Sequence, residues 1–137
     1  MTKVVVIALG LVLAAGAERR AQAETSFSVK AEAPAVTAGQ KASFKVEIVP
    51  GAGFHMNKEY PTTLTVKEIP TGVKVETLKF SAKEAVRFVE TGAEFQVPFT
   101  ANEKGKKVIS GELKFAVCSA NSCDPKKQPF TLTIDVR

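Results

Sequence analysis

Apolar and polar residues alternate in six separate stretches of the chain. Phe27, Val29 and Ala31 interleave with Ser26, Ser28 and Lys30; Phe44, Val46 and Ile48 with Ser43, Lys45 and Glu47; Leu64 and Val66 with Thr63, Thr65 and Lys67. The pattern returns at Phe95, Val97 and Phe99, at Leu113, Phe115 and Val117, and at Phe130, Leu132, Ile134 and Val136. A period of two marks a half-buried strand, because successive side chains point to opposite faces of a sheet. A seventh strand is expected over Val73 to Phe80, with a flaw. Val73 and Val75 share one parity, Leu78 and Phe80 the other, so a bulge or bend is expected between the halves. Ser81 to Glu90 resists the pattern. Ala82, Ala85, Val86 and Val89 suit a helical turn, while Val86, Phe88 and Glu90 suit an extended piece, so an irregular loop is expected there.

Turn chemistry separates the runs: Ala38-Gly39-Gln40, Pro50-Gly51-Ala52-Gly53, Pro70-Thr71-Gly72, Thr91-Gly92 and Asn102 to Gly105. Pro98 cannot donate to a ladder and marks an edge or a non-bonded position. Short strands at regular spacing, each with one apolar face, predict two packed antiparallel sheets. The expected fold is all-β, an immunoglobulin-like antiparallel sandwich of about seven to nine strands; a closed barrel is the runner-up.

The first residues follow a different logic. Lys3 gives a positive start, Val4 to Ala17 is apolar or small, and Ala21-Gln22-Ala23 presents small residues where a signal peptidase reads them. Residues 1–23 are therefore expected to be a cleaved secretory signal, with a periplasmic or secreted domain over 24–137. The apolar run is shorter than the ~20 residues of a membrane span, and the mature form is not expected to cross a membrane. Loss of Lys3, Arg19, Arg20 and Glu18 lowers the formal charge from +5 to +3. Basic residues are scattered among acids, with small clusters only at Lys104 to Lys107 and Lys126-Lys127. No basic stripe or recognition motif argues for nucleic acid. No phosphate loop, nucleophile elbow or metal-ligand repeat is present, and no cofactor is expected.

The chemistry that remains lies in Phe115-Ala116-Val117-Cys118-Ser119-Ala120-Asn121-Ser122-Cys123-Asp124-Pro125, which holds both cysteines. Export favours their oxidation. On one straight strand Cys118 and Cys123 would lie ~16 Å apart, too far for a bond, so the chain must turn back through Ser119 to Ser122. If the strand continues, Cys118 faces away from Leu113, Phe115 and Val117 and is reachable from outside. Closing so short a loop contributes only ~2 kcal/mol in the chain-entropy model, against ~4.7 kcal/mol for a 100-residue loop. Three readings stay open: a redox couple, a structural staple in a binding module, or half of a soft-metal site. His55, the single histidine, and Met56 are the residues that would complete a Cu(I)-type set.

From about Phe27 to Val136 the chain resembles the N-terminal periplasmic domain of the DsbD thiol:disulfide interchange proteins. The resemblance is carried by the strand, Cys118, short loop and Cys123-Asp124-Pro125 segment, by Gly53-Phe54-His55-Met56-Asn57-Lys58-Glu59-Tyr60-Pro61, and by Phe95-Gln96-Val97-Pro98-Phe99-Thr100. It implies an immunoglobulin-like fold in which Cys118 and Cys123 cycle between dithiol and disulfide, as an oxidoreductase-type domain. It implies electrons received from a membrane-embedded thiol carrier, here encoded separately, and passed to periplasmic thiol/disulfide proteins, with Cys123 as the contact. A loop shields the cysteines in that family; by position it falls near Ser81 to Val89, with Phe88 as the shield and His55, Tyr60 and Pro125 shaping the site. The chain departs from the family in having four residues rather than five between the cysteines, in Asp124 where an aromatic stands, and in lacking the membrane and thioredoxin-like domains.

Overall fold

The computed structural model describes residues 25–137. The expected secretory signal, residues 1–23, lies outside the described residues. Two five-stranded sheets, antiparallel throughout, face each other. The first is ordered β1 (Phe27–Glu32), β2 (Lys41–Pro50), β8 (Gly92–Ala101), β5 (Val73–Lys74), and β7 (Arg87–Val89) also pairs with β8. The second is ordered β10 (Cys123–Val136), β9 (Gly105–Cys118), β4 (Thr63–Glu68), β6 (Lys79–Ser81), and β3 (His55–Met56) also pairs with β9. The chain is an all-β, immunoglobulin-like sandwich. Among the described residues there are ten strands: β3 and β7, with two and three residues, are too short to register as alternation, and the expected Val73 to Phe80 strand is divided into β5 and β6.

The apolar face of each alternating stretch forms the interior. Phe44, Val46, Ile48, Phe95 and Val97 of the first sheet and Leu64, Leu113, Phe115, Val117 and Ile134 of the second are fully buried. Burial of each such side chain stabilises the fold by about 1.5–3 kcal/mol. Phe44 joins the layers, its ring 5.9 Å from Phe99 and 6.5 Å from Phe130. Gly111, opposite Phe130, leaves room for the Phe130 ring against β9. A Cβ there would stand 2.3 Å from the Thr65 carbonyl oxygen and 2.6 Å from the Phe130 ring.

The two halves of the Val73 to Phe80 stretch belong to different sheets. Val73-Lys74 pairs with Ala101 and Thr100 of β8, whereas Lys79 to Ser81 pairs with Thr65 to Thr63 of β4. The change of parity is therefore a crossing between layers, not a bulge within one strand. The Ser81 to Glu90 stretch holds both local forms it suited, a 3-10 turn at Ala82–Glu84 and the short strand β7. Ser81 starts the turn: its backbone N–H donates to the Glu84 carboxylate at 2.6 Å, and its hydroxyl also donates there. These bonds, the hydroxyl first, hold the Glu84 carboxyl below the ordinary carboxylate range.

Pro98 lies in a central strand, opposite Ser43 of β2. On the other side of β8, β7 covers 92–94 and β5 covers 100–101, leaving Pro98 in the gap between them. The edge is local, and the missing donor costs no bond there.

β9 and β10 form the longest element, a hairpin of fourteen opposed pairs from Cys118↔Cys123 to Gly105↔Val136. Pro125 and Pro129 both lie on β10, which has β9 as its only ladder partner among the described residues. The far end of β10 is tied to the connection between β1 and β2. Val36 bridges Val136 in parallel, with hydrogen bonds from Val36 N–H to Asp135 O (3.0 Å) and from Arg137 N–H to Val36 O (2.8 Å).

Candidate functional site

At the other end of this hairpin, β9 runs out of the core at Cys118. Ser119 to Ser122 reverse the chain. The Ser119 N–H donates to the Ser122 carbonyl at 2.8 Å, and the Ser119 hydroxyl accepts from the Asn121 and Ser122 N–H groups at 3.3 Å each. Serine and asparagine suit this position because short polar side chains satisfy turn amides locally. The Ser119/Ser122 bond makes Cys118 and Cys123 the adjacent non-hydrogen-bonded pair, where antiparallel strands approach most closely. Their Cα atoms are 4.0 Å apart and their sulfurs are bonded. The expected reversal of the chain and the disulfide are both present.

Cys118 is not open to solvent, contrary to the reading from parity. It does lie on the outer face, opposite in direction to Val117, but it is only 5% exposed. The reason is a neighbour that alternation could not reveal. β3 sets His55 directly beside Cys118 and Met56 beside Val117, while Cys123 flanks Cys118 on the other side. The loop after β3 is tied in by the Asn57 N–H, which donates to the Ala116 carbonyl at 2.9 Å. Cys123, by contrast, is exposed.

An open cleft of about 350 Å³ lies against the disulfide, lined by residues that include Cys118, Cys123, His55, Asn57, Glu59 and Glu90. Asn57 shapes one wall: its side-chain oxygen accepts the Glu59 and Tyr60 N–H groups at 3.0 and 3.3 Å. Glu90 comes from the first sheet, at the β7–β8 turn, and its carbonyl accepts the Met56 N–H at 2.8 Å. The cleft is thus built where the two layers meet.

Of the residues singled out from sequence, Cys118, Cys123 and His55 come together. Met56 also borders the cleft, but it is only 1% exposed and belongs to the core. Tyr60 is half-buried beyond the Asn57 turn, its carbonyl accepting from the Thr62 hydroxyl at 3.4 Å, and is not among the cleft residues. Pro125 is exposed and opposite Ala116, one step along the outer face from Cys123. Phe88 packs partly buried against the core; the residue of its segment that lines the cleft is Glu90. Sequence reasoning missed Glu90 and Asn57. For Asn57 a signal existed, an Asn three residues before Tyr60 in turn-forming sequence; for Glu90 there was none, because its placement depends on how the sheets stack.

No group of three or more His, Cys, Asp or Glu residues among the described residues is arranged to hold a metal ion. No helix among them is long and apolar enough to cross a membrane. The site offers a disulfide with one exposed partner, one imidazole and carboxylates of an open cleft.

No family model and no curated protein matches the sequence. Among solved structures, the chain is similar to AggA, the major subunit of aggregative adherence fimbriae type I from Escherichia coli, at 9% identity over 84% of this chain and 98% of that one, with a TM-score of 0.38. It is also similar to PapD-like domain 7 of human CEP192, at 9% identity over 96% of each chain, with a TM-score of 0.32. At such values neither likeness bears on function.

Proposed function

We propose that the chain is an exported β-sandwich recognition module whose working end is the tip fastened by Cys118–Cys123. The observation that carries this is the placement of the bond. It joins two directly opposed residues, one of them buried, beside a cleft assembled from both sheets. A covalent tie there holds β10 against β9 and so fixes one wall of the cleft. Side chains of both charge signs, Lys58, Glu59 and Glu90, line it with His55 and Asn57. That mixture suits a polar protein surface better than a lipid or a polyanion. Export is supported by the signal-like residues 1–23 and by the formed disulfide, since such bonds persist outside the cytoplasm.

A second reading, thiol:disulfide exchange, is favoured by one specific observation, the asymmetry of the pair: Cys123 exposed, Cys118 buried. The resemblance to DsbD domains supports it. In the reduced domain the Cys123 thiolate would attack an acceptor disulfide, forming a mixed disulfide and expelling one acceptor thiolate. Cys118 would then attack Cys123, restoring the protein disulfide and releasing the second acceptor thiolate, with two electrons passed to the acceptor.

The reduction potential decides between them. Equilibration with glutathione and dithiothreitol buffers is expected to place the couple below about −300 mV, as for structural disulfides of secreted proteins. A value of roughly −120 to −270 mV, the range of exchange proteins, would overturn the first reading in favour of the second.

A further inference from the structure

We propose that His55, Cys118 and Cys123 form a soft-metal site in the dithiol state: two thiolates and one imidazole for a thiophilic cation, Zn(II) or Cu(I). The three residues stand in one row across three adjacent strands. His55 is opposite Cys118 in the β3–β9 pairing, and Cys118 is opposite Cys123 in the β9–β10 pairing. All three share the outer face, since Met56 and Val117, the chain neighbours of His55 and Cys118, point into the core. Strands in a sheet are ~4.8 Å apart, so the outer two Cα atoms of such a row are within about 10 Å of one another. The cysteine Cα atoms are closer still, at 4.0 Å.

This set differs from the one the sequence offers. Met56 next to His55 looks like a thioether ligand for Cu(I), but it is buried on the opposite face. What remains is an S, S, N set, which suits Zn(II) and Cu(I) over Mg(II) or Ca(II). The open cleft beside Cys123 gives a cation a way in and leaves room for a fourth ligand, as a three-residue zinc site needs. Glu90 lines that same cleft.

The site and the disulfide are alternative fates of the same two sulfurs. A dithiol reductant supplies two electrons to the S–S bond, leaving two thiols and an oxidised, cyclic reductant. The cation then displaces the two thiol protons and takes the neutral imidazole as third ligand. The inference does not rest on either reading of the disulfide, because every newly made chain carries two thiols before oxidation.

The test uses the whole chain, reduced with dithiothreitol and freed of it without air. It is titrated with Zn(II) against a chromophoric chelator and, separately, with Cu(I) against a Cu(I)-selective one. One equivalent bound by the reduced chain and none by the oxidised chain is expected, with both thiols protected from alkylation. His55→Ala, an exposed substitution, is expected to weaken binding by about tenfold or more, and His55→Cys to restore it. The stronger of the two arms identifies the cation. Absence of stoichiometric binding, or an affinity unchanged within about twofold in His55→Ala, overturns the proposal. Loss of the β-sheet signal on reduction that metal does not restore also overturns it. The reduction potential is read separately, so the two proposals fail independently.

Discussion

The two halves of β10 solve the same problem differently. From Phe130 to Val136 every second residue is buried, and the end is held to the β1–β2 connection through Val36. From Cys123 to Pro129 none is buried, and the two most covered residues are Lys126 and Gln128. Lys126 reaches the Phe27 ring, 6.0 Å from its centroid, and Phe27 in turn meets Phe115 edge-on at 5.0 Å. One half is held by hydrophobic burial and the other by a covalent bond. The bond lies where apolar side chains stop.

The comparison is tested hardest by truncating one residue in each half. Leu132→Ala is expected to lower unfolding stability by about 2–5 kcal/mol, because it opens a cavity in the core. Gln128→Ala, four residues earlier on the same face, is expected to change it by no more than about 0.5 kcal/mol. Equal losses in urea unfolding would break the distinction. Gly111→Ala comes next. Backbone on one side and the Phe130 ring on the other leave the methyl no space, so a loss of up to about 3 kcal/mol is expected, with altered Phe130 ring resonances.

Removing the disulfide by the double substitution Cys118→Ala/Cys123→Ala is expected to cost about 2 kcal/mol, the loop-closure value for so short a ring. The sharper readout is hydrogen exchange along β10. The Asp124, Lys126 and Gln128 amides are expected to speed up more than those from Phe130 onward. A uniform change along the strand would show that the bond stabilises the whole fold and not the tip. The smallest effect lies in a third place. The Glu84 carboxyl titrates below its unfolded value because Ser81 donates to it. Its contribution is therefore present above the unfolded carboxylate value, and is lost as pH falls through the lower folded one. A pH series on Glu84→Gln is expected to lose that part of the acid dependence and little else.

Much of the sandwich was legible because period-two alternation is a direct imprint of a sheet with one wet face. Phe44, Phe95, Leu113 and Phe130 declared their direction in this way. The crossing between Val73 and Phe80 showed only as an inconsistency of parity, since a bulge and a change of sheet leave the same mark in one dimension. The site was half legible. The cysteines and the turn between them followed from chain geometry. The covering of Cys118 did not, because it depends on β3, a two-residue strand held by pairing with β9 and by the Glu90 carbonyl, neither of which has a local signature.

The prolines of β10 bear on how copies of this chain behave together. Cys123 is a non-hydrogen-bonded position against β9, so residues 125, 127 and 129 in the same alternation also turn their backbone outward. At Pro125 and Pro129 that outward position has no N–H to give. A second chain trying to extend the sheet along this flank would meet donors at Cys123 and Lys127 only, with a lysine cation at the second. A strand fourteen residues long, with only the Val36 bridge at its far end on one side, is an invitation to fibre growth. Here the half without a core face is also the half whose prolines deny donors to a next strand.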